Sequence, residues 1–217
     1  MNKTLIPAIA VAAAIGAGGW WYMTQSDAPA EFQAASAVAD TEIHPLDMPL
    51  GNPDASVVVV EYSSLTCPHC ANFSANVLPQ IQENFIDTGD ILYLKREVYF
   101  DRYGLWAAMV ARCGGEERYH GMLELIYQTQ DTWASASDPA QVANNLRRLG
   151  RQAGMSDEQV NACLEDSDKA LELTEFYQHN SETYGIRATP SFVINGELHS
   201  NMPYSEFESI LNDKLGS

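Results

Sequence analysis

Val57-Val58-Val59-Val60-Glu61-Tyr62-Ser63-Ser64-Leu65-Thr66-Cys67-Pro68-His69-Cys70-Ala71 is the stretch from which the fold of this 217-residue chain is read. The four valines form a β-branched apolar run, the pattern of a buried strand. Beyond the cysteines, Phe73, Val77, Ile81 and Phe85 recur every four positions, which is one face of a helix over residues 71–85. The Cys-x-x-Cys pair therefore stands where a strand ends and a helix begins, with Cys67 at or near the N-cap. A helix start leaves backbone N–H groups unpaired and carries a partial positive charge, and both favour thiolate over thiol. Pro68 has no N–H to leave unpaired, and its φ suits the first turn. His69, when protonated, adds a second positive group beside the sulfur. All of this lowers the pKa of Cys67 and stabilises the dithiol. A pair stabilised when reduced is an oxidant when oxidised.

Zinc is the competing reading of two such cysteines. Zinc sites, however, pair one Cys-x-x-Cys with a second, or with two closely spaced histidines. Cys113 and Cys163 stand alone, and His44, His69, His120, His179 and His199 show no such spacing. No metal and no cofactor is expected. A purely structural role for the Cys67–Cys70 bond is disfavoured too, because so small a ring constrains little of the unfolded chain.

Outward from the motif, Ile91 to Tyr99 reads as a second strand, and Pro79 should kink the helix between them. Glu61 follows the valines, so its side chain either turns inward with them or sits exposed at the strand end. Residues 103–184 then change character. Leu105, Trp106, Met109 and Val110 mark one helical face, and Tyr119, Met122, Leu123 and Ile126 mark another. Asp138-Pro139 and the capping box Ser156-Asp157-Glu158-Gln159 start two further helices, and a last one runs from Ser167 to Tyr184, ahead of Gly185. Ser191-Phe192-Val193-Ile194 is a short strand, Asn195-Gly196 a hairpin turn, and Tyr204 to Leu215 a closing helix. The fold class is α/β, a sheet interrupted by an all-helical insertion at about 103–184.

At the N-terminus, Lys3 precedes an apolar run from Leu5 to Met23. As a helix it would span about 28 Å, against a bilayer core of about 30 Å. Trp20, Trp21 and Tyr22 lie at its far end, where an aromatic belt sits. Residues 1–25 are read as a membrane anchor, with a cleaved signal segment as the alternative, and 26–44 as a flexible linker. Either way the domain at 45–215 is exported. Four cysteines behind such a segment fit an oxidising compartment, and a net charge of −17 argues against nucleic acid or an anionic membrane surface as partner.

Cys67-Pro68-His69-Cys70 after an apolar strand, a helical insertion, and then Ala188-Thr189-Pro190-Ser191-Phe192 together resemble the DsbA-like branch of the thioredoxin superfamily. The resemblance covers about 45–215. It implies a thioredoxin-like fold with an inserted helical subdomain, and a periplasmic thiol:disulfide oxidoreductase, held at the inner membrane by residues 5–23 or soluble after signal cleavage. DsbA itself is a documented case of a depressed cysteine pKa and an oxidising potential, and the resemblance carries those properties here. Cys67 would be the nucleophile and Cys70 the resolving thiol. Thr189-Pro190 would form a cis peptide facing them, with the Thr189 backbone pairing with extended substrate. In this family an acid six residues before the first cysteine lies beneath the motif and faces a lysine on the next strand, places that Glu61 and Lys95 hold. Some DsbA-like proteins carry a second disulfide, which here would join Cys113 and Cys163; two buried free thiols are the alternative. The implied partners are reduced exported proteins and a quinone-linked, DsbB-like membrane protein that reoxidises a monomer. Thr189 departs from the Val of the best-known oxidase and is similar to isomerase and some thioredoxin-like branches. A tethered reductase or isomerase is thus the alternative activity, and a non-catalytic peptide-binding chaperone a third.

Overall fold

The computed structural model describes residues 42–136 and 138–216. Strands β1 (Leu50–Gly51), β2 (Val57–Ser63), β3 (Ile91–Glu97), β4 (Ser191–Ile194) and β5 (Glu197–Ser200) form one sheet in the order β1-β3-β2-β4-β5. β2 and β3 run parallel, with Glu61 opposite Lys95, and the other pairings are antiparallel. Side chains alternate across a strand. Val57 and Val59 accordingly face one side with Ile91, Tyr93, Phe192 and Ile194, while Val60 and Tyr62 face the other with Leu92, Leu94 and Val193. By the same parity Glu61 and Lys95 point to the first side.

That side is covered by α1 (Pro68–Asn76), α2 (Leu78–Ile81) and α9 (Tyr204–Leu215). Phe73, Phe192 and Phe207 meet there with ring centroids 4.7–6.2 Å apart. Each buried aromatic of this kind contributes about 1.5–3 kcal/mol. The helix after the motif is not continuous to Phe85 with a kink. It breaks at Val77, two residues before Pro79, resumes for one turn as α2, and widens into a π-helical turn over Gln82–Ile86.

Between β3 and β4 come α3 (Arg102–Cys113), α4 (Glu116–Gln128), α5 (Gln130–Trp133), α6 (Pro139–Gln152), α7 (Asp157–Glu165) and α8 (Ser167–Tyr184). Asp138 caps α6, and Ser156 and Gln159 close the capping box of α7. The helices share a core of Val110, Tyr119, Met122, Ile126, Trp133 and Leu146 with their neighbours, and Leu65 and Cys70 reach into it from the motif. Cys113 on α3 and Cys163 on α7 are joined by a disulfide across a separation of 50 residues. Closing such a loop is worth about 4 kcal/mol on chain-entropy grounds.

β1 and the segment before it are held by backbone pairing and by two arginines. β1 pairs with β3, and Gly51 (φ +84°) is required there, because a Cβ would lie 2.3 Å from the Ile91 carbonyl oxygen. Upstream, Arg96 of β3 clasps Asp47 through Nε (2.9 Å) and Nη2 (2.7 Å) and donates to the Glu42 carbonyl. Arg112 of α3 pairs with Glu97 and donates to the Leu46 carbonyl at 2.7 Å. The anchor or signal segment read in residues 1–25, and the linker up to 41, lie outside the described residues. Among those described, no helix is long and apolar enough to cross a membrane.

Candidate active site

Cys67 is the N-cap of α1, in extended conformation, with Pro68 as the first helical residue. Its carbonyl accepts from the N–H groups of Cys70 (3.1 Å) and Ala71 (3.2 Å), which closes the first turn of the helix. The Thr189-Pro190 peptide is cis and faces it, the Cys67 thiol donating to the Thr189 carbonyl at 3.5 Å. Burial, the largest influence on Cys67, opposes ionisation. It is outweighed by the Thr189 side chain, the Cys70 N–H and thiol, and the His69 N–H, which hold the thiol below its ordinary value. The Thr189 hydroxyl is buried and has no hydrogen-bond partner among the described residues. His69 thus acts here through its backbone, and its ring stands exposed at the surface.

Cys70 behaves oppositely. It is fully buried, and burial drives its pKa far above the ordinary thiol value, with the charges of Glu61 and Cys67 adding to the rise. One thiol is poised to ionise and the other to hold its proton. Beneath Cys70, Glu61 is also fully buried. Its Oε2 accepts from the Tyr93 hydroxyl at 2.6 Å and from Lys95 Nζ at 3.1 Å, while Oε1 is buried with no partner among the described residues. Lys95 Nζ lies 5.3 Å from the Tyr127 ring centroid. Burial and the Lys95 charge lower the pKa of His120 to about 4.

The structure brings Cys67, Pro68, His69, Cys70, Thr189 and Pro190 to one end of the sheet, with Glu61 and Lys95 behind them. Cys113 and Cys163 are apart from this group, in the insertion. Sequence reasoning missed the residues that fix the motif loop from the helical layer. Gln130, buried on α5, donates to the carbonyls of Leu65 (2.8 Å) and Cys67 (3.2 Å). Thr66 Oγ1 donates to Asp101 at 2.7 Å, and Asp101 also caps α3 through the Tyr103 and Gly104 N–H groups. Asp101 ahead of a helical pattern is a readable cap signal, whereas Gln130, in a polar run after Tyr127, carries none. Among the described residues, no group of three His, Cys, Asp or Glu is placed to hold a metal.

A family model described as Thioredoxin matches residues 44–213. A relative from Rickettsia bellii, whose name contains the words protein-disulfide oxidoreductase, is 33% identical over 174 residues, 78% of this chain. The chain spans 64% of that relative's length. The disulfide bond formation protein D of Bacillus subtilis is 23% identical over 177 residues, 76% of each chain. Among solved structures, Wolbachia pipientis α-DsbA1 is similar with a TM-score of 0.73 and 28% identity, over 81% of this chain and 94% of that one.

Proposed function

The chain belongs to the DsbA-like branch of the thioredoxin superfamily, and on that premise we propose that it is a thiol:disulfide oxidase of exported proteins. The observation that carries this reading is the opposed bias of the two sulfurs. Cys67 is held below the ordinary thiol range at the start of α1, and Cys70 is pushed above it. A substrate thiolate attacks Cys67 Sγ of the oxidised pair. The Cys67–Cys70 bond breaks as the substrate–Cys67 bond forms, and the electron pair goes to Cys70, which takes up a proton. A second substrate thiolate then attacks the substrate sulfur and expels Cys67 as its stabilised thiolate. The substrate leaves oxidised and the pair remains reduced.

In this reading Glu61 and Lys95 supply and recover the Cys70 proton, since a buried leaving group needs a proton carrier within reach. The Thr189 backbone pairs with extended substrate, giving affinity for many sequences. Reduced exported proteins are the substrates, the periplasm is the compartment, and a DsbB-like quinone-linked membrane protein is the reoxidant. Residues 5–23 tether the domain or direct its export. The carrying test is the equilibrium of Cys67–Cys70 against glutathione. An oxidising potential is expected, since for this two-electron couple about 30 mV accompanies each 1.4 kcal/mol that favours the dithiol. A value near about −270 mV, that of thioredoxin, would overturn the oxidase reading. It would favour a tethered reductase, for which Thr189 before the cis proline is the one supporting observation.

A further inference from the structure

The chain holds 29 acidic residues against 12 lysines and arginines. In so acidic a protein an exposed guanidinium with no carboxylate beside it runs against the composition, and two such groups flank the dithiol. The ion pairs among the described residues engage Lys95, Arg96, Arg112, Arg151, Lys169, His199 and Lys214, and neither Arg102 nor Arg187 belongs to one. Arg102 opens α3 directly after Asp101, which holds Thr66, the residue before Cys67, at 2.7 Å. Its guanidinium carbon lies 5.1 Å from the Tyr103 ring centroid and 5.8 Å from that of Trp106, and both rings pack in the same cluster as Cys67. Stacking of this kind holds the guanidinium while leaving its N–H edge free. Only the Tyr103 hydroxyl, at 3.3 Å, accepts from that edge among the described residues. The neighbouring Asp101 carboxylate is already engaged, by the Tyr103 and Gly104 N–H groups and by Thr66. Arg187 is exposed two residues before Thr189, whose carbonyl accepts from Cys67 Sγ at 3.5 Å. It has no partner among the described residues.

We propose that Arg102 and Arg187 set substrate preference: they receive aspartate or glutamate side chains close in sequence to the reacting cysteine of an unfolded client. The inference rests on the oxidase reading, in which an extended client segment pairs with the Thr189 backbone. Arg187 lies two residues along the strand that such a segment would follow, and Arg102 lies beyond Thr66 on the other flank of Cys67. A guanidinium presents paired N–H donors that match the two oxygens of a carboxylate, which an ammonium does not. Phe100, 58% exposed next to Asp101, offers an apolar contact for a side chain beside the acid. The net charge of −17 does not cancel this local preference. At physiological ionic strength exposed charges are screened over about 8 Å, so the cations in contact with the client outweigh the distant acids.

Stopped-flow reduction of the oxidised protein by unstructured cysteine peptides tests the preference. Two peptides are identical except that the residues flanking the cysteine are aspartate in one and asparagine in the other. The readout is the ratio of their second-order rates, taken for wild type and for the double variant Arg102→Gln, Arg187→Gln. Each peptide's own thiol reactivity is the same with both proteins and cancels in that comparison. We expect the aspartate-to-asparagine ratio to fall about fivefold in the variant, the upper end of what an exposed ion pair supplies. Arg102→Lys, Arg187→Lys, which keeps the charge and loses the fork, should recover part of the ratio. A variant that slows both peptides alike, as a merely structural role would, leaves the ratio unchanged and overturns the proposal. A ratio that rises in the glutamine variant overturns it as well. The two readings separate in the same experiment. If wild type oxidises neither peptide, the oxidase reading fails and the preference with it; if it oxidises both and the ratio is unmoved by the variants, only the preference fails.

Discussion

At the residue scale the site is a set of opposed titrations, each set by burial and by what faces the group. Cys67 lies below and Cys70 far above the ordinary thiol value, so iodoacetamide added to the reduced protein below neutral pH should label Cys67 and spare Cys70. Equal labelling would refute the assignment of the nucleophile. Glu61 calls for more care, because its partner is buried as well. Removing one member of a buried pair costs about 3–5 kcal/mol, and Lys95 is only 4% exposed. Glu61→Gln alone should therefore lose stability as well as rate. The double variant Glu61→Gln, Lys95→Met should recover most of the stability while exchange stays slow, by about 10² or more if the pair acts as a general acid–base. Exchange at the wild-type rate across pH 5 to 8 would count against the role. His120 gives a third test. Its pKa is lowered from 6.5 to about 4, so the unfolded chain takes up a proton in a window where the folded chain does not. Stability must then fall as pH drops through that window, by at most about 3 kcal/mol and by less for a ring that keeps some solvent contact. Urea titrations of wild type and His120→Gln at pH 7 and pH 4.5 should show a smaller acid loss in the variant. Equal losses would remove His120 from the account.

Among the elements, those legible in sequence were the ones whose period or cap is local. The valine strand, the α6 and α7 starts at Asp138 and Ser156, the end of α8 at Gly185 and the Asn195-Gly196 hairpin all depend on neighbouring residues, and all stand where the pattern placed them. β1 was not legible, because its two residues become a strand only by pairing with β3 and carry no alternation of their own. The break at Val77 and the π-helical turn after Ile81 were hidden for a related reason. Phe73, Ile81 and Phe85 keep the four-residue spacing that a continuous helix would show, and their packing on the sheet accommodates the irregular backbone. Within the site, Glu61 and Lys95 could be named in advance from the family spacing. Their inward direction follows from the parity of Val57 and Val59. Gln130 could not, since a single buried amide holding two carbonyls leaves no periodic trace. The clasp on the incoming segment supplies the prediction at this scale. Asp47 has its side chain fully buried against Arg96. Arg96→Met should cost about 3–5 kcal/mol by stranding that carboxylate, and adding Asp47→Asn should restore part of it. Chemical denaturation of the two variants measures the difference; an additive double variant would mean that the pair does not act as a unit.

Considered as a whole molecule, the domain holds Cys67 in a form suited to leaving, which bears on the proposed direction of exchange. The sheet end presents Cys67 and the cis Thr189-Pro190 peptide outward, while the helical layer fixes the motif loop from behind through Gln130 and Asp101. Such an arrangement keeps the reacting sulfur in place without enclosing the substrate. The direction of catalysis then follows from what a stabilised thiolate does. It leaves readily from a mixed disulfide, and it attacks weakly, because nucleophilicity falls with pKa along a Brønsted slope of about 0.4–0.5. Oxidation of a substrate dithiol needs Cys67 only as the sulfur attacked and then as the leaving group. Shuffling a wrong disulfide needs Cys67 as the attacker, and then a mixed disulfide that lasts while the substrate rearranges. The bias that helps the first hinders the second on both counts. The oxidised domain should therefore introduce disulfides rapidly into a reduced, unfolded test protein. The reduced domain should rescue the same protein with scrambled disulfides slowly, and a monomer should suffice for the oxidation. Both reactions can be followed by return of the test protein's activity, with the mass of the active species measured by light scattering. Rescue of the scrambled protein at a rate matching its oxidation would overturn this reading and assign the chain to disulfide isomerisation.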